Sequence, residues 1–184
     1  MKKIIALVLS LAMLLSCAAL AETAEKTSIG RVGVNNAFEL TCTLPEGYEI
    51  APYSEDADQL FVIIAKPDDE DAAAMVLSVA FEELYSDLER LNDADDETLA
   101  EIGATFTEDE QVTISYTETA LGTKLMMVRD VLDDVDFVDF FTIYKGYSIE
   151  FVLLTKDANG LADEQIQAAV DFLSNLDFVP VEAE

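Results

Sequence analysis

The chain has no histidine and no tryptophan among its 184 residues. Without histidine it lacks the commonest general base, the commonest zinc ligand, and the base of the usual serine and cysteine triads. Without tryptophan it lacks the broad rings that make the best stacking platforms for sugars. Neither glycine pattern that cradles phosphate occurs, G-x-x-x-x-G-K or G-x-G-x-x-G. Basic residues are scarce: 10 stand against 38 acids, a formal net charge of −28. Such a surface repels phosphate backbones and anionic lipid, which argues against nucleic acid as a partner. It leaves cationic partners, divalent ions, or simple solubility in an extracellular setting.

The two cysteines are Cys17 and Cys42. Cys17 lies in an N-terminal segment that reads as an export signal over residues 1–21. Lys2 and Lys3 form its charged start and Ile4 to Leu15 an apolar run short for a bilayer span. Ala19-Leu20-Ala21 supplies the small residues a signal peptidase accepts. The expected product begins at Glu22 and is secreted or extracytoplasmic. A competing reading takes Leu14-Leu15-Ser16-Cys17 as a bacterial lipobox, with a lipid on Cys17 and the protein anchored to the outer face of a membrane. A third reading is an uncleaved membrane helix.

Removal of the signal leaves eight basic residues against the same 38 acids, a formal charge of −30, and Cys42 as the one cysteine. A single thiol makes no internal disulfide. Cys42 alternates with Phe38, Leu40 and Leu44, so a buried, inert thiol is expected. The length suits one domain with a real core. It is expected over residues 37–181, after a small, polar, flexible stem over 22–36.

Periodicity orders the rest. Phe38 to Leu44 alternates as a strand and ends in the turn Leu44-Pro45-Glu46-Gly47. Leu60–Ala65 and Met75–Phe81 read as strands on either side of an acidic turn at Lys66 to Asp71. From Glu82 the period changes. Leu84, Leu88 and Leu91 sit at helical spacing, and Leu99, Ile102 and Phe106 follow in a second set with Asp93 and Asp95 as candidate caps. Gly103 weakens the second helix. Val112 to Leu154 then contains four apolar, β-branched runs separated by Leu121-Gly122, an Asp cluster and Lys145-Gly146, the pattern of consecutive hairpins. Phe137, Val138, Phe140 and Phe141 are apolar on both faces, as are Phe151 to Leu154, so both faces of this sheet are expected to be covered. A last helix is expected from Asp163 to Asn175, followed by a short extended tail.

This order resembles the fold shared by the PsbP protein of photosystem II and the Ran-binding protein Mog1. The residues that carry the resemblance are Phe38-Glu39-Leu40 leading into Leu44-Pro45-Glu46-Gly47-Tyr48, and the Leu121-Gly122 turn before a strand. Tyr147-Ser148-Ile149-Glu150-Phe151 and the helix end Phe172-Leu173-Ser174-Asn175-Leu176 complete it. The resemblance implies an α+β fold, a central antiparallel sheet with helices packed on both faces as an α/β/α sandwich. It also implies a binding or assembly role without catalysis, and it carries over no functional residues.

Carboxylates are the remaining chemistry. The densest set is Asp130, Asp133, Asp134, Asp136 and Asp139, around the turn between two expected strands. Asp130, Asp133, Asp134 and Asp136 are the candidate ligands for Ca²⁺, although their spacing matches no known calcium loop. The competing reading is a solvated, mutually repelling turn. Asp157-Ala158-Asn159-Gly160 superficially resembles an EF-hand start, but its glycine falls at the wrong position, so a turn is expected. Phe137, Phe140, Phe141, Tyr144, Tyr147 and Phe151 are read as core in preference to a pocket lining. Together these features lead to an exported, non-enzymatic binding or accessory domain of a bacterial envelope or extracellular system, whose partner is a protein or envelope component. An acidic Ca²⁺-binding protein is the alternative, and a carboxylate-dependent hydrolase a remote one.

Overall fold

The computed structural model describes residues 26–33, 38–51, 54–55, 59–67, 69, 72–106, 112–132, 135–155 and 159–181. The expected signal, Cys17, Asp133 and Asp134 lie outside them. Eleven strands fall in two antiparallel sheets among the described residues. The smaller consists of β1 (Thr27–Val32), β2 (Phe38–Cys42) and β11 (Asp177–Pro180), in the order β1-β2-β11. The larger contains β3 (Glu49–Ile50), β4 (Ser54–Glu55), β5 (Gln59–Ala65), β6 (Ala74–Phe81), β7 (Thr113–Glu118), β8 (Lys124–Leu132), β9 (Val135–Tyr144) and β10 (Tyr147–Thr155). Its order is β3-β5-β6-β10-β9-β8-β7, with β4 also on β5. Among the described residues there are two α-helices, α1 (Asp96–Phe106) and α2 (Asp163–Ser174).

The expected α/β/α sandwich is therefore not what the chain forms. The structure is mostly β, and the cover on one face of the large sheet is itself largely a sheet. Thr27–Val32, expected within a flexible stem, is strand β1, and its Ile29 and Val32 are buried. The closing tail is strand β11, paired with β2 from Asp177–Thr41 to Pro180–Phe38. A further difference is the first expected helix. Glu83–Tyr85 and Leu91–Asp93 are single 3-10 turns, and Leu84 is 74% exposed. An α-helix there would spend the carbonyls of Leu88 and Glu89 on its own later N–H groups. Here they accept hydrogen bonds from Gly146 (3.1 Å) and Lys145 (2.9 Å), in the turn between β9 and β10. Tertiary pairing outcompetes the leucine periodicity.

Helix α1 starts where the sequence suggested. Asp95 Oδ1 accepts the N–H of Thr98 at 2.8 Å, and this bond holds the Asp95 carboxyl below its ordinary pKa. A Cβ on Gly103 would lie 3.2 Å from Ile114 Cδ1, so the glycine that weakens the helix lets it lie close against β7.

The main core lies between the small sheet with α2 and one face of the large sheet, the inner face. Leu40, Cys42, Val170 and Phe172 meet Leu77, Phe140 and Phe151 there. Phe172 stacks on Phe151 with ring centroids 4.9 Å apart. On the opposite, outer face a second cluster packs Tyr85, Leu91, Leu99 and Ile102 on Met126, Val128, Phe141 and Ile143. That cover reaches β8, β9 and, through Ile114, β7.

Candidate functional site

The period of two along β8 and β9 decides the fate of the acidic turn. Asp130 pairs with Phe137, and Val131 pairs with Asp136. Successive residues of a strand point to opposite faces. Asp130 therefore shares the outer face with Phe137 and Asp139, while Asp136 shares the inner face with Arg129. The expected cation site does not bring its two described members together. Asp136 is also fully engaged. Its Oδ1 accepts from Arg129 Nε at 3.3 Å, and its Oδ2 accepts from Arg129 Nη2 and from the Leu161 N–H, both at 2.7 Å. The guanidinium holds the Asp136 carboxyl below the usual carboxylate range. Asp130 Oδ1 accepts the N–H of Val131 at 2.7 Å. Among the described residues no group of three or more His, Cys, Asp or Glu is placed to hold a metal ion.

Cys42 is fully buried, and burial pushes its thiol up to about 11. A thiol in that state is a poor nucleophile.

A cleft of about 470 Å³ opens on the inner side between the end of α2, β11 and the turn joining β7 to β8. Leu121, Leu125, Tyr144, Leu173 and Phe178 form much of its wall. Of the aromatics singled out in the sequence, Tyr144 lines it, whereas Phe140 and Phe151 are core. Arg90 lines the cleft too, and several of the cleft's polar groups are engaged within the fold. Thr142 Oγ1 donates to the Lys124 carbonyl at 2.9 Å, and Thr119 Oγ1 accepts the Thr123 N–H at 3.1 Å. The acidic group in the lining, Asp177, is ion-paired with Lys26.

The outer face holds the arrangement that is not satisfied. The strand pairings place Ile63, Val76, Val152, Asp139, Val128 and Ile114 opposite one another in a single row across β5, β6, β10, β9, β8 and β7. Five β-branched aliphatics thus share a row with one carboxylate. The next row on one side contains Phe61, Ser78, Glu150 and Phe141, and the row on the other side contains Ala74, Leu154 and Phe137. Val128, Ile114 and Phe141 pack into the cluster beneath α1. Among the described residues Phe61, Ile63, Val76, Phe137, Val152 and Leu154 belong to neither core cluster; Phe61 is 38% exposed and the other five are half-buried. The apolar cover ends at Asp139.

Asp139 Oδ1 is buried and finds no hydrogen-bond donor among the described residues. Burial, followed by the nearby charge of Glu150, pushes its carboxyl up to about 7. Glu150 is raised in turn by burial and by Glu82, whose Oε1 accepts from Ser148 Oγ at 2.8 Å. Glu150 was not singled out from the sequence. The signal was there: a lone glutamate in the apolar run Tyr147–Thr155.

No family model matches the chain, and no curated protein matches it in sequence. Among solved structures, a crystal structure from Bacteroides thetaiotaomicron VPI-5482 is similar to it over 88% of this chain, with a TM-score of 0.50 and 11% identity. This chain spans 50% of that protein's length, and at that identity the likeness concerns the fold alone.

Proposed function

We propose that the chain is an exported binding domain without catalytic activity, which docks a protein or envelope component of a bacterial envelope or extracellular system. The observation that carries this reading is the strip from Phe61 and Ile63 across Val76 to Val152, Leu154 and Phe137, half-buried except for the exposed Phe61, which among the described residues joins neither core cluster. A partly exposed apolar strip outside the core is a place where a partner can complete the cover. The strip outweighs the cleft because Thr119, Thr142 and Asp177 of the cleft are already engaged within the fold. The export signal read from residues 1–21 supports the compartment, with a lipid on Cys17 as the alternative mode of anchoring.

The test is affinity capture from envelope extracts by the wild-type chain and by the double variant Phe61→Ser/Val152→Thr, with thermal unfolding to show that both are folded. A partner enriched by the wild type and lost with the variant is the expected result. No enriched partner at any salt concentration, or equal capture by the variant, overturns the proposal.

A further inference from the structure

The strip belongs to a sheet face, and sheet faces are covered by helices or other sheets, whereas sheet edges take strands. Four strands, β5, β6, β10 and β9, carry it. At about 4.8 Å between neighbours they span about 14 Å, the length of a helix of about 10 residues. The surface is apolar along the row Ile63–Val76–Val152 and acidic where that row meets Asp139, with Glu150 in the next row and Asp130 across from Phe137. None of the residues in these rows is a lysine or an arginine. A carboxylate half-enclosed by aliphatic side chains is costly to keep charged unless it is paired.

Resting on the binding role proposed above, we infer that the partner covers this face with an amphipathic helix, its apolar side on the Ile63–Val76–Val152 row and a lysine or arginine paired with Asp139. The match is of shape and charge together. A purely apolar helix would bury the Asp139 carboxylate without a counter-charge. A purely basic one would leave the strip wet.

The experiment is a fluorescence anisotropy titration of the full chain with a synthetic amphipathic peptide of about 15 residues, long enough to populate a helix. The peptide carries one lysine at the border of its apolar face. Its analogues replace that lysine by norleucine, or scramble the order at constant charge. The wild-type chain is expected to bind the lysine peptide about tenfold or more tightly than the norleucine one, and Asp139→Asn to reverse that preference. Equal binding of the scrambled peptide would reduce the interaction to the general attraction of a chain of charge −28 and overturn the inference. So would an unchanged preference in Asp139→Asn. If Asp139→Asn still captures the envelope partner that Phe61→Ser/Val152→Thr loses, the charge pairing fails while the docking strip stands.

Discussion

Gly160 leaves the space that Asp136 occupies. A Cβ on Gly160 would lie 2.5 Å from Asp136 Oδ2, and the glycine has a φ of +72°, a conformation L side chains adopt at a cost. The carboxylate that this gap admits ties β9 to Arg129 of β8 and to the Leu161 N–H ahead of α2. Gly160→Ala should therefore destabilise the chain by about 2–4 kcal/mol, the sum of backbone strain and a displaced charged hydrogen bond. Gly122→Ala supplies the comparison. Gly122 also has a positive φ, +76°, but nothing lies within 4 Å of its missing Cβ, so strain of about 1 kcal/mol is all it should cost. Urea unfolding of the two variants separates these outcomes.

The Arg129–Asp136 pair contributes on the alkaline side of its titration. Its folded pKa is depressed, so its stabilisation is present above the unfolded value near 4 and is lost as pH falls through the still lower folded value. Asp136→Asn should cost about 1–2 kcal/mol at neutral pH, a modest figure because the Arg129 side chain is 43% exposed. The loss should shrink when unfolding is measured near pH 3. A cost that stays constant with pH would show that the pair is electrostatically inert.

Asp139 acts with the opposite sign. Its folded pKa of about 7 lies above the unfolded value near 4. Its contribution is complete below about pH 4 and is lost as pH rises through about 7. Glu150 faces it from β10 with Glu82 beyond, and Asp130 shares its face from β8, so the charged groups around it are acidic. Between about pH 5 and pH 8 the wild type should lose stability on the order of a few kcal/mol, and Asp139→Asn should flatten most of that slope. Parallel pH profiles for the two chains would contradict this.

Truncation should distinguish the strip from the core. Phe151→Ala, in the inner core and in contact with Phe172, should cost about 3–5 kcal/mol. Val152→Thr, the next residue along β10 and on the outer face, should cost less than about 1 kcal/mol in the free chain. A cost for Val152→Thr near that of a core residue would mean that the strip is already covered.

Much of the local structure was legible because it depends on short-range pattern. The four strands from Val112 to Leu154, their turns at Leu121-Gly122 and Lys145-Gly146, and both α-helices follow from periodicity and capping. What periodicity could not carry is pairing between distant segments. Thr27–Val32 reads as stem because Gly30 and its polar neighbours hide two buried positions, Ile29 and Val32, and only β2 makes it a strand. The leucines from Leu84 to Leu91 read as a helix until the Lys145-Gly146 turn claims their carbonyls. The Asp cluster reads as one site because proximity in sequence says nothing about faces; the register of β8 against β9 sends Asp130 and Asp136 to opposite sides. For the same reason Asp139 could be named from the sequence, but its place in a row of aliphatics and its link to Glu150 could not.

The most direct test of the account is the titration of the Asp139 side-chain carboxyl in the free chain, followed by ¹³C NMR. A midpoint near 7 is expected, moving downward once a cationic amphipathic helix covers the face. A midpoint near 4 in the free chain, the value of a carboxyl in water or one already paired, would contradict it.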